Sequence, residues 1–225
     1  MKEVSVVVCT RNEEKVIEAC LKALKSQNLK PEIIIVDGHS TDKTESIAKK
    51  YADKIVYDNG QGISDARNVG ARAASGKIVA YCDADCIPKK DWVKNIVKAI
   101  SGKVVAVSGP LTAIDGGLKQ KLGFKIWADL APRILAKFGY NCLWGANMAI
   151  ERKTLLANPF RTRFLEDYEM GSRLRKFGGV RFLKSISMPA STRRFSQSFY
   201  RTCIKYYILG AAKIKLKIED RGYYK

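Results

Sequence analysis

Residues 77–85 read KIVAYCDAD, an apolar run that ends in two carboxylates around one small residue. The same order, an apolar run followed by polar side chains, occurs at 4–8 before 10–14 and at 33–36 before 37–42. Runs rich in β-branched residues are typical of buried strands, because such side chains pack well on a pleated surface. The sequence therefore predicts three buried strands, each with polar residues at its carboxyl end.

Helical patterns alternate with these predicted strands. Apolar residues recur at helical spacing at 16–24 and 47–51. Alternation of strands and helices is typical of parallel sheets, so we expect an α/β fold with a mostly parallel central sheet flanked by helices on both faces. Further strands are predicted at 55–57 and 104–107, an apolar run occurs at 144–150, and helical patterns occur at 63–75, 92–100, 118–138 and 166–177.

Positive charge is concentrated in the second half of the chain. The 225 residues carry a formal net charge of +19, with 18 basic and 15 acidic side chains in residues 1–115 but 23 and 7 in residues 116–225. Such a surface attracts polyanions, including diphosphates and anionic lipid headgroups. The hydrophobic share of 46% excludes a mainly disordered chain. We expect one domain with two halves, 1–115 and 116–190, and a basic amphipathic extension at 191–225.

Cysteine and histidine usage excludes two classes of site. The six cysteines contain no CxxC pair, and His39 is the only histidine, which excludes a Cys/His zinc site and argues against a Ser-His-Asp hydrolase. No apolar run reaches the roughly 18 to 20 residues of a membrane-spanning helix, and the N-terminus lacks a signal-peptide pattern. We expect free thiols and a cytoplasmic protein, with peripheral attachment at the inner face of the cell membrane as a further expectation.

The polar strand ends are expected to form one site. Ligands of open α/β sheets bind beyond the carboxyl ends of the strands. Carboxylates gathered there repel one another unless a cation or ligand hydroxyls are present, so a binding site explains them better than stability does. Asp83 and Asp85 can hold a hard divalent cation and leave coordination positions for substrate phosphates. The expected cofactor is Mg²⁺ or Mn²⁺.

Five segments, in this order along the chain, resemble the family 2 glycosyltransferases of the GT-A fold. They are VSVVVCTRNEE at 4–14, IIIVDGHSTDKT at 33–44, SDARNVGARAASGKIVAYCDADC at 64–86, GANMAIERKTL at 145–155 and LEDYEMGSRL at 165–174. The resemblance implies an inverting, metal-dependent transferase that uses a UDP- or GDP-type nucleotide-diphosphate sugar. The acceptor would be a hydroxyl or phosphate of a sugar or of a membrane lipid, such as a polyprenyl phosphate or a glycolipid.

The resemblance also implies a role for each matched residue. Asp167 would be the catalytic base, and Asp83 and Asp85 would hold the metal. Contacts with the nucleotide sugar would come from Thr10, Arg11, Asn12, Glu13, Asp37, Arg67, Asp83, Ala84, Arg193 and Arg194. The acceptor side would include Gly145, Asn147 and Glu166. From the residues alone, Arg67 also suits an ordinary surface position, and residues 166–167 suit a helix start, where carboxylates stabilise the dipole.

Two positions depart from the family pattern. Related enzymes often place a metal-ligating His after the last core strand, whereas residues 191–194 here read STRR. An arginine there would grip the diphosphate through bidentate hydrogen bonds. Residues 86–88 read CIP, where polyprenyl-phosphate mannose and glucose transferases usually show a Leu-Gln type continuation, so this segment does not favour a polyprenyl phosphate over the other acceptors.

The sequence leaves alternatives open for residues 199–217 and for the class of function. The apolar and basic residues at 199–217 suit an anionic membrane surface and a solvated basic helix equally. A nucleotidyltransferase of related fold would need a Gly-rich phosphate loop after the first strand, and residues 10–14 contain no glycine. A nucleic-acid-binding module would suit the charge of +19, but the basic half contains no recognisable motif of that class, so we expect no nucleic-acid partner.

Overall fold

A computed structural model describes residues 2–137, 142–161 and 166–193. The strands are β1 (Val4–Thr10), β2 (Glu32–Asp37), β3 (Lys54–Tyr57), β4 (Ile78–Cys82), β5 (Val104–Ser108), β6 (Leu111–Ala113), β7 (Asn147–Glu151), β8 (Gly179–Phe182) and β9 (Met188–Ala190). The helices are α1 (Ile17–Lys25), α2 (Thr44–Ala48), α3 (Ile63–Ala73), α4 (Trp92–Ala99), α5 (Leu118–Lys125), α6 (Ala131–Lys137), α7 (Arg152–Ala157) and α8 (Glu166–Leu174). A π-helical turn (Ile126–Leu130) joins α5 to α6, and a 3₁₀ turn (Lys184–Ile186) precedes β9.

Seven strands form one sheet, in the order β3-β2-β1-β4-β7-β5-β8. β1 pairs parallel with β2 and β4, and β2 pairs parallel with β3, which confirms the mostly parallel sheet. β7 lies between β4 and β5 and is antiparallel to both. Because Asn147 pairs with Cys82, the turn that leads into β7 lies at the carboxyl edge of β4.

Side chains of the sheet alternate between two hydrophobic cores, one on each face. In β1, Val6 and Val8 pack in the core that contains α1 and α4, whereas Val7 packs in the core that contains α3 and α8. Both faces of the central strands are therefore covered, which explains why these strands are continuous apolar runs. The expected helices on both faces are confirmed.

A glycine allows α3 to lie close to the sheet. A Cβ at Gly70 would come within 2.3 Å of a methyl carbon of Val7 and 3.0 Å of one of Val36. Both distances are shorter than the contact distance of carbon atoms. The close approach keeps Arg67, one turn earlier on α3, near the carboxyl edge of the sheet.

Several elements differ in extent from the sequence prediction. The helix predicted at 63–75 ends at Ala73, and the helix predicted at 166–177 ends at Leu174. β6, β8 and β9 were not predicted, because their sequences LTA, GVRF and MPA contain no run of β-branched residues. Most of the predicted extension at 191–225, including residues 199–217, lies outside the described residues.

The described cysteines are free thiols, as their spacing predicts: Cys9, Cys20, Cys82, Cys86 and Cys142. Cys203 lies outside the described residues. Burial raises the pKa of Cys9 to about 12, so this thiol stays protonated at neutral pH. These cysteines behave as small apolar side chains.

A buried carboxylate joins three elements at the amino edge of the sheet. Glu32 accepts hydrogen bonds from the Ser75 backbone N–H at 2.9 Å and from the Ser75 hydroxyl at 2.8 Å, and it pairs with Lys54 Nζ at 2.9 Å. Ser5 Oγ donates to it as well. Burial disfavours the ionised form, but these donors outweigh burial and lower the pKa of Glu32 to about 2.

We expect Glu32→Gln to lower the free energy of unfolding by about 2 kcal/mol at pH 7, because an amide cannot satisfy all the donors that face the carboxylate. A lowered pKa in the folded state stabilises the protein above the ordinary pKa of glutamate, and this stabilisation is lost as the pH falls towards the folded-state value. The difference between wild type and variant should therefore shrink between about pH 5 and about pH 3. Urea denaturation at each pH measures it, with the exposed Glu3→Gln as control. A difference that stays constant over this range would contradict an ionised Glu32.

Candidate active site

The carboxyl ends of three neighbouring strands meet at one edge of the sheet. β1 ends at Thr10, which pairs in register with Asp37 at the end of β2. β4 lies on the other side of β1 and is followed by residues 83–85. Thr10 Oγ1 is buried and has no hydrogen-bond partner among the described residues. The polar strand ends predicted from the sequence therefore lie together.

Side chains of two loops fix the turn after β1. Asn12 has a φ of +55°, a left-handed conformation that asparagine tolerates better than most residues. Its Oδ1 accepts a hydrogen bond from the Thr41 N–H at 2.8 Å, and its own N–H donates to Ser40 Oγ at 2.9 Å. The Glu13 N–H donates to Thr44 Oγ1 at 2.7 Å. These bonds hold together the loops that follow β1 and β2.

Asp37 is buried, and its carboxylate accepts hydrogen bonds from the loop that follows it. It accepts hydrogen bonds from the Ser40 hydroxyl at 2.5 Å and from the Ser40 N–H at 3.2 Å. Arg11 is exposed and lies against Gly38. The contacts of Asp37 and Arg11 with a nucleotide sugar stay predictions.

Strand β9 holds the loop that carries the two carboxylates. The Cys86 N–H donates to the Asp83 carbonyl at 3.1 Å and closes a turn. The Ser191 N–H donates to the Asp85 carbonyl at 3.1 Å, and Cys86 pairs with Ala190 in an isolated antiparallel bridge. The chain after β9 therefore starts beside the two carboxylates.

Arg193 lies between two of the predicted site carboxylates. Its Nε is 3.1 Å from Asp85 Oδ2, and its Nη2 donates to Glu13. Burial lowers the pKa of a guanidinium, but the two carboxylates outweigh burial and raise the pKa of Arg193. The structure thus brings together three residues that the resemblance assigns to the site: Glu13 and Arg193 to the nucleotide sugar, and Asp85 to the metal. Arg194 lies outside the described residues.

Asp115 positions the segment before Arg193, a role that its sequence context does not predict. Its carboxylate accepts hydrogen bonds from Ser191 Oγ and the Thr192 N–H, both at 2.6 Å, and from Thr192 Oγ1 at 2.7 Å. These bonds outweigh the effect of burial and lower the pKa of Asp115. The partners are 76 and 77 positions away in sequence, so the sequence carries no local signal for this contact.

A buried ion pair joins α3 to α8. Arg67 Nη1 donates to Glu166 Oε1, and the Arg67 guanidinium lies over the Phe160 ring, 5.6 Å from its centroid. Position 145 requires glycine, because a Cβ there would come within 2.0 Å of Arg67 Nη2. Burial disfavours the charged form, yet Glu166 and neighbouring carboxylates raise the pKa of Arg67. The surface alternative for Arg67 is wrong, and its direct contact with a nucleotide stays a prediction.

Asp167 is buried beside this ion pair, in the first turn of α8. Its carboxylate accepts hydrogen bonds from the Tyr168 N–H, at 2.9 Å, and from the Gly145 N–H. Burial raises the pKa of Asp167, the Glu166 carboxylate raises it further, and Arg67 opposes both, so that the pKa lies at about 7. A buried carboxyl that titrates near neutral pH is suited to accept a proton.

Asn147 has a role inside the protein. Its amide donates to the carbonyls of Gly109 at 3.0 Å and Ile186 at 2.8 Å, and its Oδ1 accepts a hydrogen bond from Trp92 Nε1 at 2.9 Å. The side chain is completely buried. This placement does not support the predicted acceptor contact, because both amide hydrogens are used by the core.

The donor set at residues 83–85 suits a divalent cation. Asp83 and Asp85 supply the hard oxygen ligands that Mg²⁺ and Mn²⁺ prefer, and Ala84 between them is buried. Within residues 2–137, 142–161 and 166–193, no group of three or more His, Cys, Asp or Glu side chains is arranged to hold a metal. Asp83 and Asp85 are the residues that would hold such a cation.

Comparison with solved structures supports the fold. The chain is 20% identical to a mannosyltransferase from Pyrobaculum calidifontis in complex with GDP-Man and Mn²⁺, with a TM-score of 0.73 over 98% of this chain and 66% of that one. It is 21% identical to glucosyl-3-phosphoglycerate synthase from Mycobacterium tuberculosis in complex with Mn²⁺, UDP-Glc and phosphoglyceric acid, with a TM-score of 0.72 over 98% of this chain and 82% of that one. The expected GT-A fold is confirmed.

Comparison of sequences gives the family. A dolichyl N-acetyl-alpha-D-glucosaminyl phosphate 3-beta-D-2,3-diacetamido-2,3-dideoxy-beta-D-glucuronosyltransferase from Methanococcus voltae is 26% identical over 182 residues, which are 76% of this chain and 56% of the relative. The chain spans about half the length of the curated relatives it matches. The family model described as Glycosyl transferase family 2 matches residues 5–155. Because this match covers well over half of the residues, the chain belongs to glycosyl transferase family 2.

Proposed function

We propose that this chain is an inverting, metal-dependent glycosyltransferase that moves a sugar from a nucleoside diphosphate to an acceptor, with Asp167 as the base. The observation that carries the proposal is a buried Asp167 whose pKa is raised to about 7, at the same edge of the sheet as the carboxylates that follow β4. Arg67 lies within electrostatic range of both Asp83 and Asp167. Asp83, a predicted donor-site carboxylate, and Asp167, the predicted base, therefore lie near the same buried guanidinium.

Positive charge at the donor site would stabilise the diphosphate as it leaves. A diphosphate carries negative charge that increases as the sugar leaves, and cationic groups that face it stabilise the transition state. A divalent cation held by Asp83 and Asp85 would supply part of this positive charge. Arg193, already paired with Asp85 at 3.1 Å, would supply the rest from its guanidinium. The solved relatives bind Mn²⁺ with GDP-Man or UDP-Glc, which supports a donor of the UDP or GDP type and either Mg²⁺ or Mn²⁺.

The environment of Asp167 suits it to accept the proton of the acceptor. In a single displacement, the acceptor oxygen forms a bond to the anomeric carbon on the side opposite the diphosphate. The bond from that carbon to the diphosphate oxygen breaks, and its electron pair leaves with the nucleoside diphosphate. For a hydroxyl acceptor, the released proton passes to the Asp167 carboxylate. The Gly145 and Tyr168 N–H groups hold that carboxylate in one orientation, which favours proton transfer along one direction.

We propose a sugar or a membrane lipid as the acceptor. The Methanococcus voltae relative is named for a dolichyl-linked phosphate acceptor, and this supports a lipid such as a polyprenyl phosphate or a glycolipid. The solved synthase holds phosphoglyceric acid, which supports a soluble acceptor instead. A lipid acceptor would place the protein at the inner face of the cell membrane.

We expect a nucleoside diphosphate sugar to raise the melting temperature by about 5 °C only when Mn²⁺ or Mg²⁺ is present, because a ligand that binds the folded state stabilises it by mass action. Asp85→Ala should abolish this shift by removing a metal ligand. A thermal-shift panel of UDP, GDP and dTDP sugars, with and without Mn²⁺, measures it. Asp91→Ala, an exposed aspartate outside the site, is the control. Equal shifts without metal in both proteins would contradict the metal site.

We expect Asp167→Asn to bind the donor as wild type does but to transfer sugar about 10²- to 10⁴-fold more slowly, since an amide keeps the shape and cannot accept the proton. In wild type the rate of transfer should rise as the pH increases through about 7, because the base acts in its ionised form. The pH profile of kcat measures this. Glu169→Gln, on the same helix but paired with Arg173, should leave the profile unchanged. Turnover within a few-fold of wild type in Asp167→Asn would assign the base elsewhere.

We expect Arg193→Ala to weaken donor affinity about 10- to 100-fold, because hydrogen bonds to charged groups contribute about 1.5 to 3 kcal/mol. Arg193→Lys should recover only part of the affinity, since an ammonium cannot form the bidentate contact of a guanidinium. Isothermal titration calorimetry with UDP and GDP sugars in Mn²⁺ measures both variants. The exposed Arg72→Ala controls for loss of net charge, and an unchanged donor affinity in Arg193→Ala would remove Arg193 from the donor site.

A further inference from the structure

A row of exposed apolar side chains runs along the helical segment from α5 through the π-helical turn to α6. Leu118, Leu122, Ile126, Leu130 and Ile134 are 85%, 58%, 51%, 46% and 47% exposed. Residues four positions apart lie on the same face of a helix, and sixteen helical steps span about 24 Å. These five side chains, here called the apolar row, therefore form one continuous strip on the surface.

The other side of the same segment is anchored in the protein. Phe124, Trp127 and Ala128 are buried, and the centroids of the Trp127 and Trp144 rings lie 4.4 Å apart. Trp144 in turn meets Tyr168 edge to face at 6.4 Å. The apolar row is thus the outer face of a helical segment whose inner face packs against Trp144, the residue before Gly145. The row is therefore exposed although the segment that carries it is packed against the protein.

Basic side chains flank the apolar row, and acidic ones are almost absent. Lys119, Lys121 and Lys125 are exposed. The only acidic residue between Asp115 and Glu151 is Asp129, and its carboxylate pairs with Arg133 at 2.9 Å. This segment therefore presents apolar groups together with ammonium groups, a combination typical of helices that lie in the interface of an anionic membrane.

We propose that the apolar row lies on the surface of an anionic phospholipid membrane, with its leucines and isoleucines in the acyl boundary and the flanking lysines at the headgroups.

Charge complementarity favours this partner over two others, residues 194–225 of the same chain and a second copy of the protein. Residues 194–225 carry eight Lys and Arg against two acidic residues, so they would meet like charge at the row, and a second copy of the same face would do so too. The row also lacks the Trp, Tyr and Arg that protein interfaces favour, and it is flanked by the Lys that they avoid. Among the described residues, no helix is long and apolar enough to cross a bilayer.

The test is vesicle binding by the full chain, without donor or metal. Wild type should co-sediment with phosphatidylcholine vesicles that contain phosphatidylglycerol and not with pure phosphatidylcholine, and added salt should weaken the binding. Leu122→Gln/Ile126→Gln should bind about ten-fold more weakly with an unchanged melting temperature, because it removes two central apolar contacts. Lys121→Gln/Lys125→Gln should lose the preference for anionic vesicles. Leu156→Gln/Phe177→Gln, which replaces two exposed apolar residues outside the row, should bind as wild type does.

Three outcomes would overturn the proposal. Unchanged binding of Leu122→Gln/Ile126→Gln would assign vesicle binding to another part of the chain. Equal binding to both vesicle types, or to neither, would exclude an anionic lipid surface. A wild-type dimer that the same double variant converts to a monomer, measured by light scattering, would assign the row to a second copy. Because Asp167→Asn should bind vesicles normally, a failure here is distinguishable from a failure of the proposed transfer reaction.

Discussion

Arg67 carries a positive charge into the interior of the protein, where only a well-placed carboxylate makes its burial tolerable. Glu166 provides that carboxylate from α8, and Gly145 leaves the space that the guanidinium occupies. Removing one partner of such a pair costs about 3 to 5 kcal/mol, because the other charge is left buried and unpaired. The pair therefore fixes α3, α8 and the turn before β7 relative to one another, and the placement of Asp167 depends on it.

The same pair sets the chemistry of Asp167. Two buried carboxylates share one guanidinium, and Glu166 makes the direct contact with it. The Asp167 carboxylate accepts hydrogen bonds from two backbone N–H groups, which lower its pKa. Burial raises the pKa by more than these bonds lower it, so the pKa lies at about 7. A second guanidinium beside it would hold Asp167 ionised at all ordinary pH values and make it a weaker proton acceptor. One cation for two carboxylates is thus a condition for a base that works near neutral pH.

The parts of the fold that the sequence predicts are those governed by local composition. The apolar runs of β1, β2 and β4 identify buried strands with polar ends, and five ordered segments identify the family. The direction of β7 was not predictable, because an apolar run suits a parallel and an antiparallel strand equally. Nor were the partners of Arg67 and Asp115, since pairing across 99 or 76 positions depends on the assembled sheet and leaves no periodic signal. Asn147 matches a family motif, yet its side chain forms its hydrogen bonds inside the core, which the motif alone does not reveal.

The two halves of the site differ in how much they can rearrange. On the base side, the Arg67 and Glu166 side chains are 6% and 12% exposed, so exchanging that partner for a ligand would require burying a charge without compensation. On the donor side, the Arg193 side chain is 38% exposed, whereas the Glu13 and Asp85 side chains that it meets are each 9% exposed. Water can solvate the guanidinium when these contacts break, and the cation of the proposed donor complex would take its place beside the two carboxylates. The proposed base is therefore held more rigidly than the proposed donor side, because Arg67 is buried more deeply than Arg193.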